Sequence, residues 1–200
     1  MLPSSDTTGA LVAGGRATRM GGIVKGLLLL DGEPVAARTL RLFRTLFADT
    51  LIVANDPAPW SALGAAIVPD AIPGKGAPGG LHAALAAART EWVFAAGCDM
   101  PFVSAAGIAR LADLRDGADA VVVRCGGHLE PLHAFWSRRC LAPLERLLRE
   151  GNPSFPDLVA RVRARVVDEA TWRTVDPDCR AFENANTPED AARLGLVRGP

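Results

Sequence analysis

Short apolar runs, each cut off by Gly, Asp or Asn, alternate along this chain with longer segments whose apolar residues recur at helical spacing. That alternation restricts the fold to an α/β architecture with a mostly parallel sheet more than any other feature does. Ala10 to Ala13 stops at Gly14-Gly15, Thr50 to Ala54 at Asn55-Asp56-Pro57, Ala66 to Val68 at Pro69-Asp70, and Trp92 to Ala96 at Gly97-Cys98-Asp99. Each reads as a buried strand ending in a loop. Gly26 to Leu30 is again apolar and turns at Asp31-Gly32. Pro34 then opens a helix with Leu40, Phe43, Leu46 and Phe47 inward and Arg38, Arg41 and Arg44 outward. A second glycine-rich loop, 73–80, precedes a helix over 81–89. Further helices are expected over 104–114, 137–149 and 155–163, and strands over 118–124, 132–136 and 165–168. A last helix has Thr187 as its cap and Pro188 in its first turn. In such sheets ligands bind beyond the carboxyl ends of the strands, so the loops there are where chemistry is to be sought.

The 200 residues read as one domain, with 1–8 as a disordered lead-in that lacks the basic and apolar regions of a secretory signal. The formal net charge is zero, which argues against duplex nucleic acid as partner. No apolar run approaches the roughly 18 residues a membrane span requires. Cys98, Cys125, Cys140 and Cys179 form no CxxC pair and read as reduced thiols of a soluble cytoplasmic protein. Of 22 basic residues only Lys25 and Lys75 are lysines, and both sit in glycine-rich segments. An ammonium there suits a phosphate met as a point charge, and chance placement is the equal alternative.

The loop after the first strand, VAGGRATRMGGIVK from Val12 to Lys25, joins glycines to three cations, Arg16, Arg19 and Lys25. Exposed backbone N–H groups and positive side chains make a phosphate cradle. It is not a Walker loop, because Gly26 rather than Ser or Thr follows Lys25, and Gly14-Gly15-Arg16 breaks the dinucleotide-binding spacing.

Asp99 stands just past an apolar strand. From position alone it reads first as the cap of the following CDMPF segment and second as a Mg²⁺ ligand. Asn184 and Asn186 flank Ala185 ahead of the last helix, where alternation puts both amides on one side. They suit a metal, a ribose or the helix turn. Asp70 reads equally as a nucleotide or metal contact and as a solvated turn residue. His82 reads as surface or packing, and His128 and His133 belong to no triad. Arg161, Arg163 and Arg165 read as a solvated face.

Three stretches, VAGGRATRMGGIVKG, CDMPF and FENANTPED, in this order and across Gly9 to Leu194, resemble the molybdenum cofactor guanylyltransferase (MobA) family. The resemblance implies a three-layer α/β/α, Rossmann-like nucleotide-binding fold. It also implies transfer of GMP from GTP to the terminal phosphate of Mo-molybdopterin, with release of pyrophosphate and Mg²⁺ as cofactor. Val12, Ala13, Gly14 and Gly15 would hold the nucleotide together with Asn55, Asp70 and Gly80. Lys25 and Arg19 would meet its phosphates, Asp99 would bind the metal, and Asn184 and Asn186 would complete the site, touching the acceptor or supporting the groups that do. The second half, with its arginine-rich segments, would carry the molybdopterin, and client molybdoenzymes or cofactor-synthesis proteins are further partners.

The chain departs from the family pattern at four places. Val12 stands for leucine, Val24 for a polar residue before the lysine, GAPGG for GPLAG or GPLGG, and Val53 for asparagine. Two other readings compete. One is a cytidylyltransferase or sugar-nucleotide pyrophosphorylase of the same fold, against which FENANTPED counts because the cytidylyl enzymes tend to an aspartate there. The other is a GTP-binding module without turnover.

Overall fold

Residues along the first strand point alternately to two apolar layers. Ala10 and Val12 join one buried cluster, and Leu11 and Ala13 another on the opposite face. A strand buried on both faces belongs inside a three-layer sandwich, and the structure, a computed structural model that describes residues 4–13, 19–20 and 23–199, has that form.

Strand β1 (Ser4–Val12) is followed by two small hairpins, β2 (Arg19–Met20) with β3 (Ile23–Val24) and β4 (Leu29–Leu30) with β5 (Glu33–Pro34). Asp31 and Gly32 turn the second hairpin with φ of 53° and 83°, the left-handed pair that a two-residue turn requires. Then come α1 (Val35–Leu46), β6 (Phe47–Val53), β7 (Ala66–Val68), α2 (Gly76–Ala87), β8 (Trp92–Gly97), α3 (Ala105–Ala112) and β9 (Ala120–Cys125). The chain continues through β10 (His128–Ser137), α4 (Leu141–Glu150), α5 (Phe155–Val159), β11 (Ala164–Val167), α6 (Glu169–Trp172) and α7 (Pro188–Arg193).

The main sheet has seven strands in the order β11-β9-β10-β8-β1-β6-β7. Only β10 runs antiparallel to its neighbours. Helices α2, α4 and α5 cover one face, through residues such as Leu81, Leu85, Leu144, Leu148 and Leu158. Helices α1, α3 and α6 cover the other, through Leu40, Phe43, Ile108, Leu111 and Trp172. From β1 the chain adds β6 and β7 on one side, then returns to place β8 on the other. The crevice beyond the ends of β1 and β8 is therefore the topological switch point, where open parallel sheets bind ligands. Among the described residues no helix is long and apolar enough to cross a membrane.

Two expectations are corrected. The lead-in of 1–8 does not hold for its second half, because β1 begins at Ser4 and Thr7 and Thr8 are wholly buried. The Thr8 hydroxyl meets that of Thr90 at 2.7 Å, and Arg115 donates to both Asp6 and Thr7, so this polar stretch is satisfied inside the fold. The glycine-rich loop 73–80 is half helix, with α2 starting at Gly76 and containing Gly79 and Gly80. The last helix starts as expected, with a capping box between Thr187 and Asp190.

Candidate active site

Both strands at the switch point end in buried backbone that is bonded across. The amide of Cys98 donates to the Val12 carbonyl at 3.1 Å, and that of Ala13 to the Val53 carbonyl at 2.9 Å. Val12 and Ala13 are thereby fixed at the mouth of the crevice. Gly14 and Gly15 lie outside the described residues. Arg19 is placed by its backbone alone, paired with Val24.

Lys25 begins a 3-10 turn, Lys25–Leu27, directly after β3. The next residue must be small: a Cβ on Gly26 would stand 3.0 Å from the Cys98 carbonyl oxygen and from the Trp60 ring. This close seat draws Lys25 under the end of β8, where its side chain is only 3 % exposed. A buried ammonium needs partners, and among the described residues it has two. Nζ donates to Asn186 Oδ1 at 2.7 Å and lies 3.5 Å from Asp99 Oδ2.

Asp99 follows the fully buried strand β8 through a tight turn in which the Met100 amide donates to the Gly97 carbonyl at 3.3 Å. Among the described residues its carboxylate caps no backbone N–H, and Lys25 is its partner. The Asp99 main chain is held separately, its carbonyl accepting from the Ala185 amide at 3.1 Å. Gly97 is the residue that sequence reasoning missed here. A Cβ on it would stand 2.9 Å from Asp99 Oδ1, so the carboxylate occupies the space that a side chain would take. The signal was a glycine at the last position of the strand, two residues before an aspartate.

Asn184 and Asn186 part company. The Asn184 amide turns back to the Phe182 carbonyl at 2.9 Å, whereas Asn186 reaches Lys25.

A second group lies beyond β6 and β7. Asn55 and Asp70 bond twice, Asn55 Nδ2 to Asp70 Oδ2 and the Asp70 amide to Asn55 Oδ1, both at 2.9 Å. Asp70 Oδ1 is shielded from water and has no hydrogen-bond partner among the described residues. It faces Gly80, whose absent Cβ would stand 3.9 Å from this oxygen and 2.7 Å from Val12 Cγ1. Gly80 is thus a packing glycine that lets α2 lie on the end of β1. Val12, Asn55, Asp70 and Gly80 form one patch, and Lys25, Asp99 and Asn186 another, with the end of β1 between them.

Lys75 is elsewhere. Its ammonium donates to the Gly151 carbonyl at 2.6 Å and to Asn152 Oδ1 at 3.2 Å, at the C-terminal end of α4, which a cation stabilises. Arg163 donates to Asp119 rather than facing only solvent. His82 is buried against α4, and burial lowers its pKa, with Glu145 opposing. His133 is fully buried with Phe94, Trp172 and Phe182 edge-on around it at 5.2–5.4 Å. Burial pushes the Cys98 thiol, beside Asp99, up to about 12. It is a packing residue rather than a nucleophile.

A mostly parallel sheet with a crevice at its switch point is the layout of a nucleotide-binding α/β protein, and the family match makes the class that of the nucleotidyltransferases. Residues 9–166 match the model of the MobA-like NTP transferase domain, and the chain belongs to that family. It is 35 % identical over 184 residues to the molybdenum cofactor guanylyltransferase of Desulfosudis oleivorans, covering 92 % of this chain and 91 % of that one. Among solved structures it resembles molybdopterin-guanine dinucleotide biosynthesis protein A from Archaeoglobus fulgidus. The TM-score is 0.78 and the identity 26 %, over 94 % of this chain and 96 % of the other. It also shares its fold with the Rv0371C complex with manganese from Mycobacterium tuberculosis, at a TM-score of 0.67 and 24 % identity, covering 95 % and 98 % of the two chains.

Proposed function

We propose that this chain transfers GMP from GTP to the terminal phosphate of Mo-molybdopterin, forming the guanine dinucleotide cofactor and releasing pyrophosphate. The observation that carries the reading is the convergence of Lys25, Asp99 and Asn186 at the switch point of a sheet whose relatives are named for this transfer.

The residues fit a hard divalent cation. Asp99 is 23 % exposed, and among the described residues its Oδ1 has no partner. Mg²⁺ takes one or two carboxylates together with substrate phosphates. Asp99 would hold Mg²⁺, and when bound the ion would neutralise phosphate charge and polarise the reacting phosphorus. A neighbour in complex with manganese is in keeping with a cation of this kind.

The chain's own groups do the rest. An oxygen of the acceptor phosphate attacks the α-phosphorus, a new P–O bond forms, and the bond to pyrophosphate breaks. The attacking oxygen is already anionic, so no general base is needed and catalysis is positioning and charge neutralisation. Lys25 and Arg19 supply positive charge to the phosphates. Asp70 Oδ1, braced by Asn55, accepts a hydrogen bond from the nucleoside, and Gly80 lets α2 pack against Val12 at the mouth of the crevice. Asn184 and Asn186 would contact the acceptor or support the groups that do, and the arginine-rich segments of the second half would carry the pterin. Client molybdoenzymes or cofactor-synthesis proteins would receive the product. The four cysteines, all free, fit a cytoplasmic place of work.

The test incubates the chain with Mg²⁺, Mo-molybdopterin and each of GTP, CTP, UTP and ATP, reading pyrophosphate release and the dinucleotide by mass. GMP transfer with GTP preferred supports the proposal. Transfer from CTP or UTP would make it a cytidylyl or sugar-nucleotide enzyme, and GTP binding without product a non-catalytic module.

A further inference from the structure

A second group of metal-binding side chains lies apart from Lys25 and Asp99. Cys125 ends β9, Glu169 opens α6, and Cys179 sits in the turn ahead of the 3-10 segment Arg180–Phe182. Their Sγ atoms and a Glu169 carboxylate oxygen all lie within 4.8 Å of one another. Three elements distant in sequence thus aim two sulfurs and an oxygen at one point.

The surroundings hold these donors in place. Cys179 has φ 54°, a left-handed conformation uncommon for a residue with a side chain. Asp176 sustains it: its main-chain carbonyl accepts from the Cys179 amide at 3.0 Å, and its carboxylate from the amides of Arg180 and Ala181 at 3.0 and 2.9 Å. Glu169 is oriented from behind. The Gly126 amide donates to Oε2 at 2.8 Å and Arg173 Nε to Oε1 at 2.9 Å. Such outer partners fix metal-ligating carboxylates in known sites.

We infer that Cys125, Cys179 and Glu169 form a binding site for one thiophilic divalent cation of the zinc class. Two thiolates and a carboxylate suit a borderline-soft ion and leave a fourth position for water. On binding, two S–H bonds break, two metal–sulfur bonds form, and both protons pass to solvent. Two thiolates and a carboxylate around a dication leave one net negative charge, which Arg173, 2.8 Å from Glu169, offsets. Mg²⁺, which seeks oxygen, does not compete for sulfur. The bound ion clips the β9–β10 hairpin to the turn that leads into the segment bearing Asn186, and it does so whether or not the proposed transfer is correct.

Co²⁺ is the probe, added to the reduced full chain in excess Mg²⁺. The expected result is one equivalent bound with a thiolate-to-cobalt charge-transfer band, displaced by Zn²⁺, and a higher melting temperature with Zn²⁺. The band is expected to vanish in Cys125→Ser and Cys179→Ser. Cobalt affinity should fall tenfold or more in Glu169→Gln, whose single amide oxygen can accept from only one of Gly126 and Arg173 and brings no charge to the ion. Cys140→Ser, whose thiol instead donates to the Asp119 carbonyl, should retain the band. Absence of the band in the reduced chain, or its survival in both cysteine variants, overturns the site. Oxidised glutathione consuming Cys125 and Cys179 as a disulfide, in a chain that takes up no cobalt when reduced, overturns it as well.

Discussion

The amide of Ala185 donates to the main-chain carbonyl of Asp99 at 3.1 Å, binding the C-terminal segment to the loop after β8. Ala185 is itself wholly buried, packed with Leu28, Leu30 and Val35. The residue after it therefore has little freedom, and Asn186 is delivered to Lys25. Three parts of the chain meet at one ammonium, and no two of them are neighbours in sequence.

Removing either half of the Lys25–Asp99 pair should slow transfer strongly, with unequal consequences for stability. Asp99→Asn leaves a buried ammonium without its counter-charge, which destabilises the fold by about 3 kcal/mol. Lys25→Met fills the same volume without charge and leaves unpaired a carboxylate that is 23 % exposed and can turn to water, so the melting temperature falls less than in Asp99→Asn. Loss of one charge-stabilising contact commonly costs about 3 kcal/mol in the transition state, so pyrophosphate release should fall on the order of a hundredfold in each. Thermal denaturation beside a turnover assay separates the two effects. A Lys25→Met protein with full turnover removes the lysine from the mechanism.

Gly97→Ala should damage turnover more than folding. The new Cβ would meet Asp99 Oδ1 at 2.9 Å and Met100 at 3.3 Å, and the carboxylate is the more mobile neighbour. Displacing a reacting group by an ångström can cost about a hundredfold in rate, while local overpacking costs about 1 kcal/mol. Far-UV circular dichroism near wild type with a large fall in kcat is expected. Unchanged kcat would show that the position of Asp99 is not critical.

Much of this arrangement could be read from the chain before any coordinates. Ala66 to Val68 is a strand as expected, because its apolar residues are bounded by a glycine before and a proline after. The first half of β1 could not be read. Asp6, Thr7 and Thr8 look like solvated residues until Thr90 and Arg115, more than 80 positions away, supply their hydrogen bonds. The same limit applies to the site. Strand ends marked Asp70 and Asp99, but the contact of Lys25 with Asn186 spans 161 positions and no local pattern announces it. The glycines at 74 and 76 suggested a loop through 80, and both do have positive φ, yet the apolar demand of the sheet face continues the helix from Gly76.

Asp119 should contribute stability that acid removes. Its carboxylate accepts from the Arg163 amide, Nε and Nη2 at 3.1, 3.0 and 2.9 Å, joining the start of β9 to the approach to β11. These bonds, above all the side-chain one from Arg163, lower its pKa to about 2. A carboxyl that ionises more readily in the folded chain stabilises it above pH 4 and loses that contribution as the pH falls toward 2. Because the Arg163 side chain is 64 % exposed, the contribution is about 1 kcal/mol after screening. Asp119→Asn should be less stable than wild type at pH 7 by that amount in urea titrations, and the gap should close near pH 2. A gap independent of pH would place the effect in packing.

His133 should make the fold acid-sensitive in a higher range. The imidazole has no exposed surface, among the described residues neither ring nitrogen has a hydrogen-bond partner, and three aromatic rings surround it. Burial lowers its pKa to about 4, with the charge of Asp176 opposing. At pH 7 the ring is neutral folded and unfolded, so it confers no pH dependence there. Between about 6.5 and 4 the unfolded chain takes up a proton that the folded chain refuses, and stability falls with pH, by about 3 kcal/mol once pH 4 is reached. His133→Phe keeps an aromatic ring among Phe94, Trp172 and Phe182 and removes the titration. Urea midpoints measured from pH 7 to 4.5 should decline steeply in the wild type and less in the variant, where only carboxylates remain to respond. Parallel declines would mean that His133 accepts its proton inside the fold, which requires the aromatic enclosure to open to water.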